Sequence, residues 1–357
     1  MSINCKIIME NNYLVQISCM TYNHAPYIVD ALNGFTMQET TFPFVCSIID
    51  DASTDGEQEI IRKYLEEHFD LQDKTIVRNE ETDDYLLTFA RHKTNHNCFF
   101  AVLFLKYNHY RKKSKKPYIQ EWIDSAKYIA DCEGDDYWIH PKKLQWQVNF
   151  LDENQEYGMV YGASKIYVQG LGMKNGVFGH EYRGMEDLLA GNYYFNASVL
   201  KRKSQEKRYL EEIGIHPEWK MGDWPRILHC AITSKIGFMD EPMTVYRSLP
   251  NSASHFDSFD KFKDFNENSV AVSKYFIEKY QLDASDLFPK LDNWLRKRLL
   301  LKACEVGNVD LIKQYKHDVE GLSLKEKITV FLSSHYLTNI LYGWYLIIRK
   351  DIYFICH

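Results

Sequence analysis

The chain has 357 residues, which is more than one average domain, so we expect one large α/β unit with an appendage or two domains. Hydrophobic residues make up 45% and charged residues 26%, a composition that excludes a disordered chain. The formal net charge of −6 provides no general basic field, which excludes nucleic acid as the main partner.

The eight cysteines are scattered along the chain without CxxC or CxxH spacing. Several lie in apolar runs such as ISCM and FVCSII, so we expect buried free thiols of a reducing compartment, not disulfides or a zinc site. The amino-terminal segment lacks the apolar core of a signal peptide. No uncharged apolar run reaches the length of about 18 residues that would suggest a membrane span. We therefore expect a cytoplasmic protein.

The first half of the chain alternates strand-like and helix-like segments, a pattern typical of a mostly parallel sheet with helices on both faces. LVQISCM (14–20) and FVCSIID (44–50) predict the first two strands. Between them, Ile28, Leu32 and Phe35 recur at helical spacing and predict a helix.

The later elements follow the same logic. TIVR (75–78) and KYIADC (127–132) predict a third and a fourth strand, and a helix is predicted from Pro141. The RKKSKK segment (111–116) is either a solvated turn or a contact for an anionic lipid or acceptor. From about residue 256 long amphipathic segments predict a helical C-terminal region.

Polar clusters follow three of the predicted strands. In an open α/β sheet ligands bind beyond the carboxyl ends of the strands, so we expect these clusters to share one rim. The clusters are Thr21-Tyr22-Asn23, Asp50-Asp51 and Glu133-Gly134-Asp135-Asp136.

The third cluster is the most acidic. Carboxylates held together repel each other unless a cation or a shared proton relieves them, and oxygen ligands favour Mg²⁺ or Mn²⁺. Glu133, Asp135 and Asp136 therefore indicate a divalent metal site. The alternative is a solvated turn that caps the following helix, whose positive end also attracts acidic residues. The residues alone leave both open.

The first two clusters have similar alternatives. Asp50 and Asp51 could belong to a turn in which a nearby Ser, Thr or Asp caps the next helix. Tyr22 is either a surface on which a nucleobase stacks or a half-buried tyrosine.

The ordered motifs resemble those of the family 2 glycosyltransferases, which have the GT-A fold. They are a strand ending in TYN, a second ending in IIDDASTDG, and a third ending in EGDDYW followed by P-x-K-L and Q-x-x-F-L. The resemblance implies an inverting, metal-dependent transfer of sugar from a nucleotide-sugar, usually UDP-linked, to a carbohydrate or lipid-linked acceptor. It also implies a role in bacterial surface polysaccharide synthesis. We expect a GT-A catalytic domain over residues 1–255 and a mostly helical region over 256–357.

The resemblance assigns the nucleotide to the first two clusters. Thr21, Tyr22 and Asn23, together with Asp50 and Asp51, would surround the nucleobase and ribose. A carboxylate that accepts a hydrogen bond from uracil N3–H selects the base, and an aromatic ring supplies stacking area.

The metal-binding D-x-D motif of the family falls on Glu133-Gly134-Asp135, with Glu in place of the first Asp. The resemblance implies that Asp135 binds Mn²⁺ or Mg²⁺ with Asp136 in support, while Glu133 lies near the ribose or a metal-bound water. The substitution puts direct coordination by Glu133 in doubt, because its carboxylate sits on a longer arm. The ion would neutralise the charge that develops on the departing diphosphate.

The general base is assigned in the same way. Asp223, in KMGDWPR, matches the aspartate that removes the acceptor's proton in inverting members, and Glu218 is the reserve candidate. Alternatively, Asp223 caps a helix that Pro225 helps to begin. The neighbouring Trp219 and Trp224 would face sugar rings or belong to the core.

Downstream residues complete the expected site. Tyr246 and Arg247 stand where the family has a Y-R pair, and Arg247 would contact phosphate. The histidine that often follows this pair is missing, and His255 is a candidate replacement. Arg91 and Asn97 are further candidates for contact with the nucleotide.

Other functions remain open at this stage. A sugar-phosphate nucleotidyltransferase would ordinarily need a glycine-rich and basic loop after the first strand, which TYNHAPY lacks. A non-catalytic nucleotide-sugar-binding protein would keep the same binding residues. The apolar, aromatic tail (329–357) either packs on the catalytic domain as a helix or makes peripheral contact with the inner face of the membrane.

Overall fold

The computed structural model describes residues 13–190, 194–249, 256 and 258–334. In these residues one mixed sheet runs through the molecule, with helices on both of its faces. The strands are β1 Val15–Thr21, β2 Phe44–Asp50, β3 Phe69–Asp70, β4 Arg78–Glu81, β5 Tyr85–His92, β6 Cys98–Leu105, β7 Tyr128–Asp131, β8 Tyr137–Trp138, β9 Tyr157–Val168, β10 Gly172–Met173, β11 Val199–Arg202 and β12 Lys235–Ser248. The helices are α1 Ile28–Thr36, α2 Glu57–His68, α3 Gln120–Ser125, α4 Lys143–Glu153, α5 Met185–Ala190, α6 Lys203–Glu212, α7 Asp223–Thr233, α8 Phe259–Lys279, α9 Ala284–Glu305, α10 Val309–Tyr315 and α11 Leu324–Ser333.

The centre of the sheet is parallel. The strands run in the order β3-β5-β6-β2-β1-β7-β11-β9-β12-β8, and β6, β2, β1 and β7 are mutually parallel. Strands β5 and β11, which flank this centre, are antiparallel to their inner neighbours. Thr21 at the end of β1 lies opposite Asp50 at the end of β2, so the clusters that follow these strands meet at one edge.

The predicted central elements are confirmed. Every residue of β2 is buried, as expected for a parallel strand covered on both faces, which reads as a continuous apolar run. Strand β6, which is not among the predicted strands, is also buried throughout. Helix α1 buries Ile28, Leu32 and Phe35 at helical spacing. The Phe35 ring meets the Trp138 indole edge to face at 5.1 Å, which joins α1 to the strand after the acidic cluster.

The predicted strand at 75–78 is wrong, because residues 74–76 form a turn and β4 begins only at Arg78. The Asp73 carboxylate accepts a hydrogen bond from the Thr75 N–H at 3.0 Å, and the Asp73 carbonyl accepts from Ile76 at 3.0 Å. A short acidic side chain that bonds to the following backbone competes with strand pairing, and the apolar run alone does not reveal it.

A second core lies between the outer strands and the C-terminal helices. Buried residues of β9 and β11 pack with α7, α8 and α9, where Val272 and Phe276 of α8 are almost fully enclosed. The helices between Phe259 and Ser333 agree with the helical pattern of this region. The boundary near residue 255 stays a prediction, because residues 250–255 lie outside the described part.

Two further expectations concern cysteines and the membrane. The six cysteines among the described residues are buried free thiols, as predicted, while Cys5 and Cys356 lie outside that part. Within the described ranges no helix is both long and apolar enough to cross a bilayer. Most of the apolar tail, from residue 335 onward, also lies outside them.

Lys143 is an unusual member of the core. It is fully buried in α4, its Nζ donates a hydrogen bond to Gln147 Oε1 at 2.8 Å, and it lies 4.1 Å from the centre of the Trp138 ring. Burial lowers the pKa of Lys143 from 10.5 to about 7. The Lys143 amine therefore binds a proton less readily in the folded protein than in the unfolded chain.

We expect the stability of the wild type to rise relative to Lys143→Met as the pH increases. Between about 7 and 10.5 the unfolded chain holds the proton that folded Lys143 has lost, so raising the pH removes an advantage of the unfolded state. The gain from pH 7 to 9.5 is about 3 kcal/mol. Urea unfolding of both proteins at several pH values measures it. The exposed Lys142→Met is the control, and parallel curves for wild type and Lys143→Met would contradict the prediction.

Candidate functional site

The acidic loop after β7 is drawn against the end of β1. The Cys132 N–H bonds to the Ser18 carbonyl at 3.0 Å, and the Gly134 N–H bonds to the Met20 carbonyl at 3.1 Å. A Cβ on Gly134 would lie 2.2 Å from Thr21 Oγ1, so only glycine permits this approach. The loop therefore places the carboxylates on either side of Gly134 beside the carboxyl end of β1.

Arg247 holds this loop in place through three hydrogen bonds. Its backbone N–H donates to Asp136 Oδ1 at 2.8 Å, its Nε donates to the Asp135 carbonyl at 2.9 Å, and its Nη2 donates to Asp30 Oδ2 at 2.7 Å. Arg247 is buried, and part of its guanidinium is already engaged, so its contact with phosphate stays a prediction. Three aromatic rings with centres 4.7, 5.1 and 5.3 Å from its Cζ surround it: Tyr27, Tyr137 and Tyr167.

Carboxylates that are far apart in the sequence meet in the cleft above this loop. The Glu133 side chain is exposed to the cleft. Its pKa is nevertheless raised to about 7, first because the surrounding protein displaces water and second because Asp135 and Asp223 are negatively charged. Burial and Asp135 also raise the pKa of Asp136. The fold thus concentrates negative charge where the sequence predicts a cation.

The metal site can be tested against these residues. Among the residues described here, no three His, Cys, Asp or Glu side chains form a ready-made metal cluster. A hard divalent ion at a phosphate site needs only one or two protein carboxylates, since phosphates and water supply the other ligands. Asp135 and Glu133 meet this requirement: no lysine or arginine of the described part pairs with either, and His24 Nε2 is 4.0 Å from Asp135 Oδ2. Asp136 is less open, because Arg247 already binds its carboxylate.

Asp223 begins α7 and is exposed to solvent. Its Oδ1 accepts a hydrogen bond from the Trp224 N–H at 2.8 Å, which holds the carboxylate at the amino end of the helix. Asp223 and Glu133 both line a cavity of about 290 Å³ between the sheet and helices α6 and α7. The N-cap of α7 is Gly222, so Asp223 does not cap the helix as the alternative supposed; it is the first helical residue, bonds to the first turn and also lines the cavity.

An ion-pair cluster forms one wall of the cavity. Glu206 accepts hydrogen bonds from Lys116 at 2.9 Å and from Arg226 Nε at 2.9 Å, while Lys201 bonds to Asp131 at 3.1 Å. Burial opposes the ionisation of Glu206, but Lys201, Arg226 and Lys116 outweigh it and lower the pKa to about 2. Apolar side chains also line the cavity: Ile119, Ile123, Ile129, Met159 and Ile227.

The segment after β1 is organised by a residue that the motifs do not reveal. Glu57, the first residue of α2, is fully buried and accepts hydrogen bonds from the hydroxyls of Thr21 and Ser53. The Ser53 hydroxyl in turn accepts from the Asn23 N–H at 2.9 Å, and Asn23 has a left-handed φ of 56°. These bonds tie the first two clusters together and leave Tyr22 45% exposed at the rim.

Asp50 and Asp51 are both buried. Asp50 Oδ1 accepts hydrogen bonds from the Ser53 N–H at 3.0 Å and the Gln58 amide at 2.5 Å. Asp51 Oδ1 accepts from the His109 N–H at 2.7 Å, and its Oδ2 accepts from Lys115 Nζ at 2.6 Å. Since its oxygens are engaged in this way, selection of a base by Asp51 stays a prediction.

The basic loop is held by carboxylates. Lys113 pairs with Asp84 at 2.6 Å, Lys115 with Asp51 at 2.6 Å, and Lys116 with Glu206 at 2.9 Å. The loop therefore places cations beside the nucleotide cluster and beside the cavity. The run of lysines in the sequence is the only signal for it, and the run does not show where each lysine lies.

Arg91 and Asn97 lie at the opposite end of the sheet, so their expected contact with the nucleotide is wrong. Arg91 of β5 lies opposite Phe99, near the start of β6, and pairs with Asp73 at 3.6 Å. The Asn97 amide bonds to the Thr40 carbonyl at 2.6 Å, just before β6 begins. Because β5 is antiparallel to β6, a residue near its end returns to the amino end of the parallel strands.

The aromatic residues near Asp223 belong to the core. Trp224 is buried and its indole N–H donates to Ser273 of α8, while Trp219 stacks on the His216 ring at 3.9 Å. Glu218, the reserve base, is hydrogen-bonded to His216 at 2.8 Å. His255 lies outside the described residues.

Comparison with known proteins places this geometry in a known fold. No model of a known protein family matches the chain. It is 28% identical over 256 residues to the uncharacterized proteins Rv1520 of Mycobacterium tuberculosis and Mb1547 of Mycobacterium bovis. That match includes 70% of this chain and only 63% of the relatives' length.

Solved structures are similar over most of the chain. TarS 1–349 of S. aureus has a TM-score of 0.50 at 16% identity, covering 90% of this chain and 78% of that one. Its complex with UDP-GlcNAc also has a TM-score of 0.50, at 15% identity, covering 85% and 90%. The mannosyltransferase PcManGT of Pyrobaculum calidifontis, in complex with GDP-Man and Mn²⁺, has a TM-score of 0.50 at 12% identity, covering 93% and 87%. The chain therefore has the α/β GT-A fold of these glycosyltransferases, with a C-terminal helical region.

Proposed function

We propose that this protein is a metal-dependent inverting glycosyltransferase that moves a sugar from a UDP-linked donor to a carbohydrate or lipid-linked acceptor in bacterial surface polysaccharide synthesis. The observation that carries the proposal is that Glu133 lines one cavity with Asp223 and lies close enough to Asp135 and Asp223 for their charges to raise its pKa. The printed ligands of the structural neighbours, UDP-GlcNAc and GDP-Man with Mn²⁺, support a nucleotide-sugar donor.

The donor's nucleotide lies on the segment that follows β1. Tyr22 offers an exposed ring on which the base stacks, and the Thr21 and Asn23 positions are fixed by Glu57 and Ser53 before the donor arrives. Such prior order lowers the entropic cost of binding. Lys115, at Asp51, places a positive charge beside this segment.

The expected metal ligands are Asp135 and Asp136, but the Arg247 N–H occupies Asp136, so we assign Glu133 in its place beside Asp135. These two carboxylates would hold Mn²⁺ or Mg²⁺, which would stabilise the charge that develops on the diphosphate leaving group. Arg247 keeps the Asp135 backbone in place through the bond to its carbonyl. Asp136 completes the loop by binding the Arg247 N–H. The arginine therefore acts as a positioning residue beneath the carboxylates.

Asp223 removes the proton from the acceptor hydroxyl as that oxygen attacks the anomeric carbon. Its carboxylate is exposed to the cavity and oriented by the Trp224 N–H. Attack from the side opposite the diphosphate breaks the sugar–phosphate bond in one displacement and inverts the anomeric centre.

A thermal-shift panel tests donor and metal binding together. We expect UDP with Mn²⁺ to raise the melting temperature by about 4 °C near saturation, more than GDP or ADP, because a ligand that binds only the folded form stabilises it. Asp135→Ala should abolish the part that depends on Mn²⁺, while Asp83→Ala, which removes an exposed carboxylate that does not line the cavity, should not. A metal effect that survives Asp135→Ala would refute the proposed site.

A further inference from the structure

A polar groove lies at the end of the sheet opposite the cleft. It has a volume of about 630 Å³ and lies between residues 36–41, Thr94–Asn95 and one face of α4. Strand β2 separates it from the cleft, and seven residues at about 3.3 Å each place the two sites roughly 20 Å apart. We call it the rear groove.

The walls of the rear groove are fixed by buried hydrogen bonds. Gln38 is fully buried, donates to the Gly34 and His140 carbonyls at 3.1 and 3.0 Å, and accepts from the Leu144 N–H at 3.1 Å. The Asn95 amide donates to the Gln38 carbonyl at 2.8 Å. A binding surface that is already ordered loses little conformational entropy when a ligand binds.

Recognition groups remain open on the α4 side. Trp146 is 39% exposed, its ring lies against the His140 ring at 4.3 Å, and its indole N–H bonds to no other described residue. Asn149 accepts a hydrogen bond from Gln145 at 2.8 Å through its Oδ1, which leaves its N–H donors for a ligand. The groove thus combines an apolar ring with amide donors.

The chemistry of the groove indicates its ligand class. Glu39 and Lys142 are both exposed and offset each other, so no local field favours a phosphate or a polyanion. Neutral sugars present apolar C–H faces to aromatic rings and hydroxyls to amides, and the volume falls in the usual range for ligand sites. We propose that the rear groove binds a segment of neutral oligosaccharide, with Trp146 as its stacking platform. The proposal concerns binding alone and stands whether or not the cleft transfers sugar.

Titration with hexasaccharides of glucose (β-1,4, β-1,3 and α-1,4 linked), mannose and N-acetylglucosamine tests the proposal. Indole N–H signals are followed by NMR, with the Trp146 signal assigned through Trp146→Phe. We expect at least one sugar to shift that signal at millimolar concentration. Trp146→Ala, which lacks this signal and is followed through the backbone amide signals of the groove, should weaken binding about tenfold. Leu171→Ala, which removes a side chain of similar exposure elsewhere, should leave it unchanged.

Two results would overturn the proposal. One is the absence of binding by every hexasaccharide. The other is binding that survives Trp146→Ala but is lost in Asp223→Asn, which would place the sugar in the cleft. Binding that is kept in Asp223→Asn and lost in Trp146→Ala would support the rear groove even for a protein that transfers no sugar.

Discussion

Replacing Asp223 by Asn is expected to lower the turnover number for sugar transfer about 10³-fold, within the range of a lost general base. The amide keeps the shape of the side chain and an oxygen that accepts the Trp224 N–H, so the start of α7 should be preserved. It cannot accept the acceptor's proton. The Michaelis constant for the UDP-sugar should change little, because the nucleotide lies on the β1 side of the cleft.

The measurement is release of UDP from a panel of UDP-sugars, with water or added glycans as acceptors. Glu218→Gln is the matched control, since Glu218 is close to Asp223 in sequence but binds His216. A loss of turnover in Glu218→Gln with full activity in Asp223→Asn would show that Glu218, and not Asp223, is the general base. Donor binding measured by thermal shift in Asp223→Asn separates a folding defect from a chemical one.

The sequence predicts the rim of this site because each strand end can be recognised from a short stretch of the chain. A buried parallel strand reads as a continuous apolar run, as in β2, and the residue after it emerges at the carboxyl end. Thr21 and Asp50 therefore emerge at the same edge, and the parallel pairing of β1 with β2 makes them neighbours. The need for Gly134 is not predicted, because the close approach of its loop to Thr21 appears only in the structure.

Other contacts depend on sheet order and strand direction, which periodicity does not contain. Arg247 reaches the acidic loop because β12 pairs with β8. Lys115 reaches Asp51 because the segment between β6 and α3 returns to the end of β2. For Arg91 and Asn97 the missing information on strand direction led to a wrong prediction. Their residue types suit the site, but an antiparallel turn carries them to the opposite end.

The ion-pair cluster around Glu206 leads to a large expected effect on stability at pH 7. Glu206 is 9% exposed at its side chain, and Lys116, Lys201 and Arg226 share it. Glu206→Gln removes the charge that compensates these cations, and of the three only Lys201 keeps a carboxylate partner in the described residues, Asp131. Removing one partner of a buried cluster costs several kcal/mol, and the partial exposure of the cations reduces the expected loss to about 2–3 kcal/mol at pH 7.

The loss should depend on pH in a defined direction. The pKa of Glu206 is about 2 in the folded protein, compared with an ordinary value of 4.5, so its contribution is complete above about 4.5 and is lost as the pH falls towards 2. The difference between wild type and Glu206→Gln in urea unfolding should therefore shrink across that window. Glu211→Gln, on the same helix, removes an exposed partner of Lys207 and should cost no more than about 0.5 kcal/mol. Equal losses in the two variants, or a difference that does not change with pH, would show that the cluster does not hold α6 and α7 against the sheet.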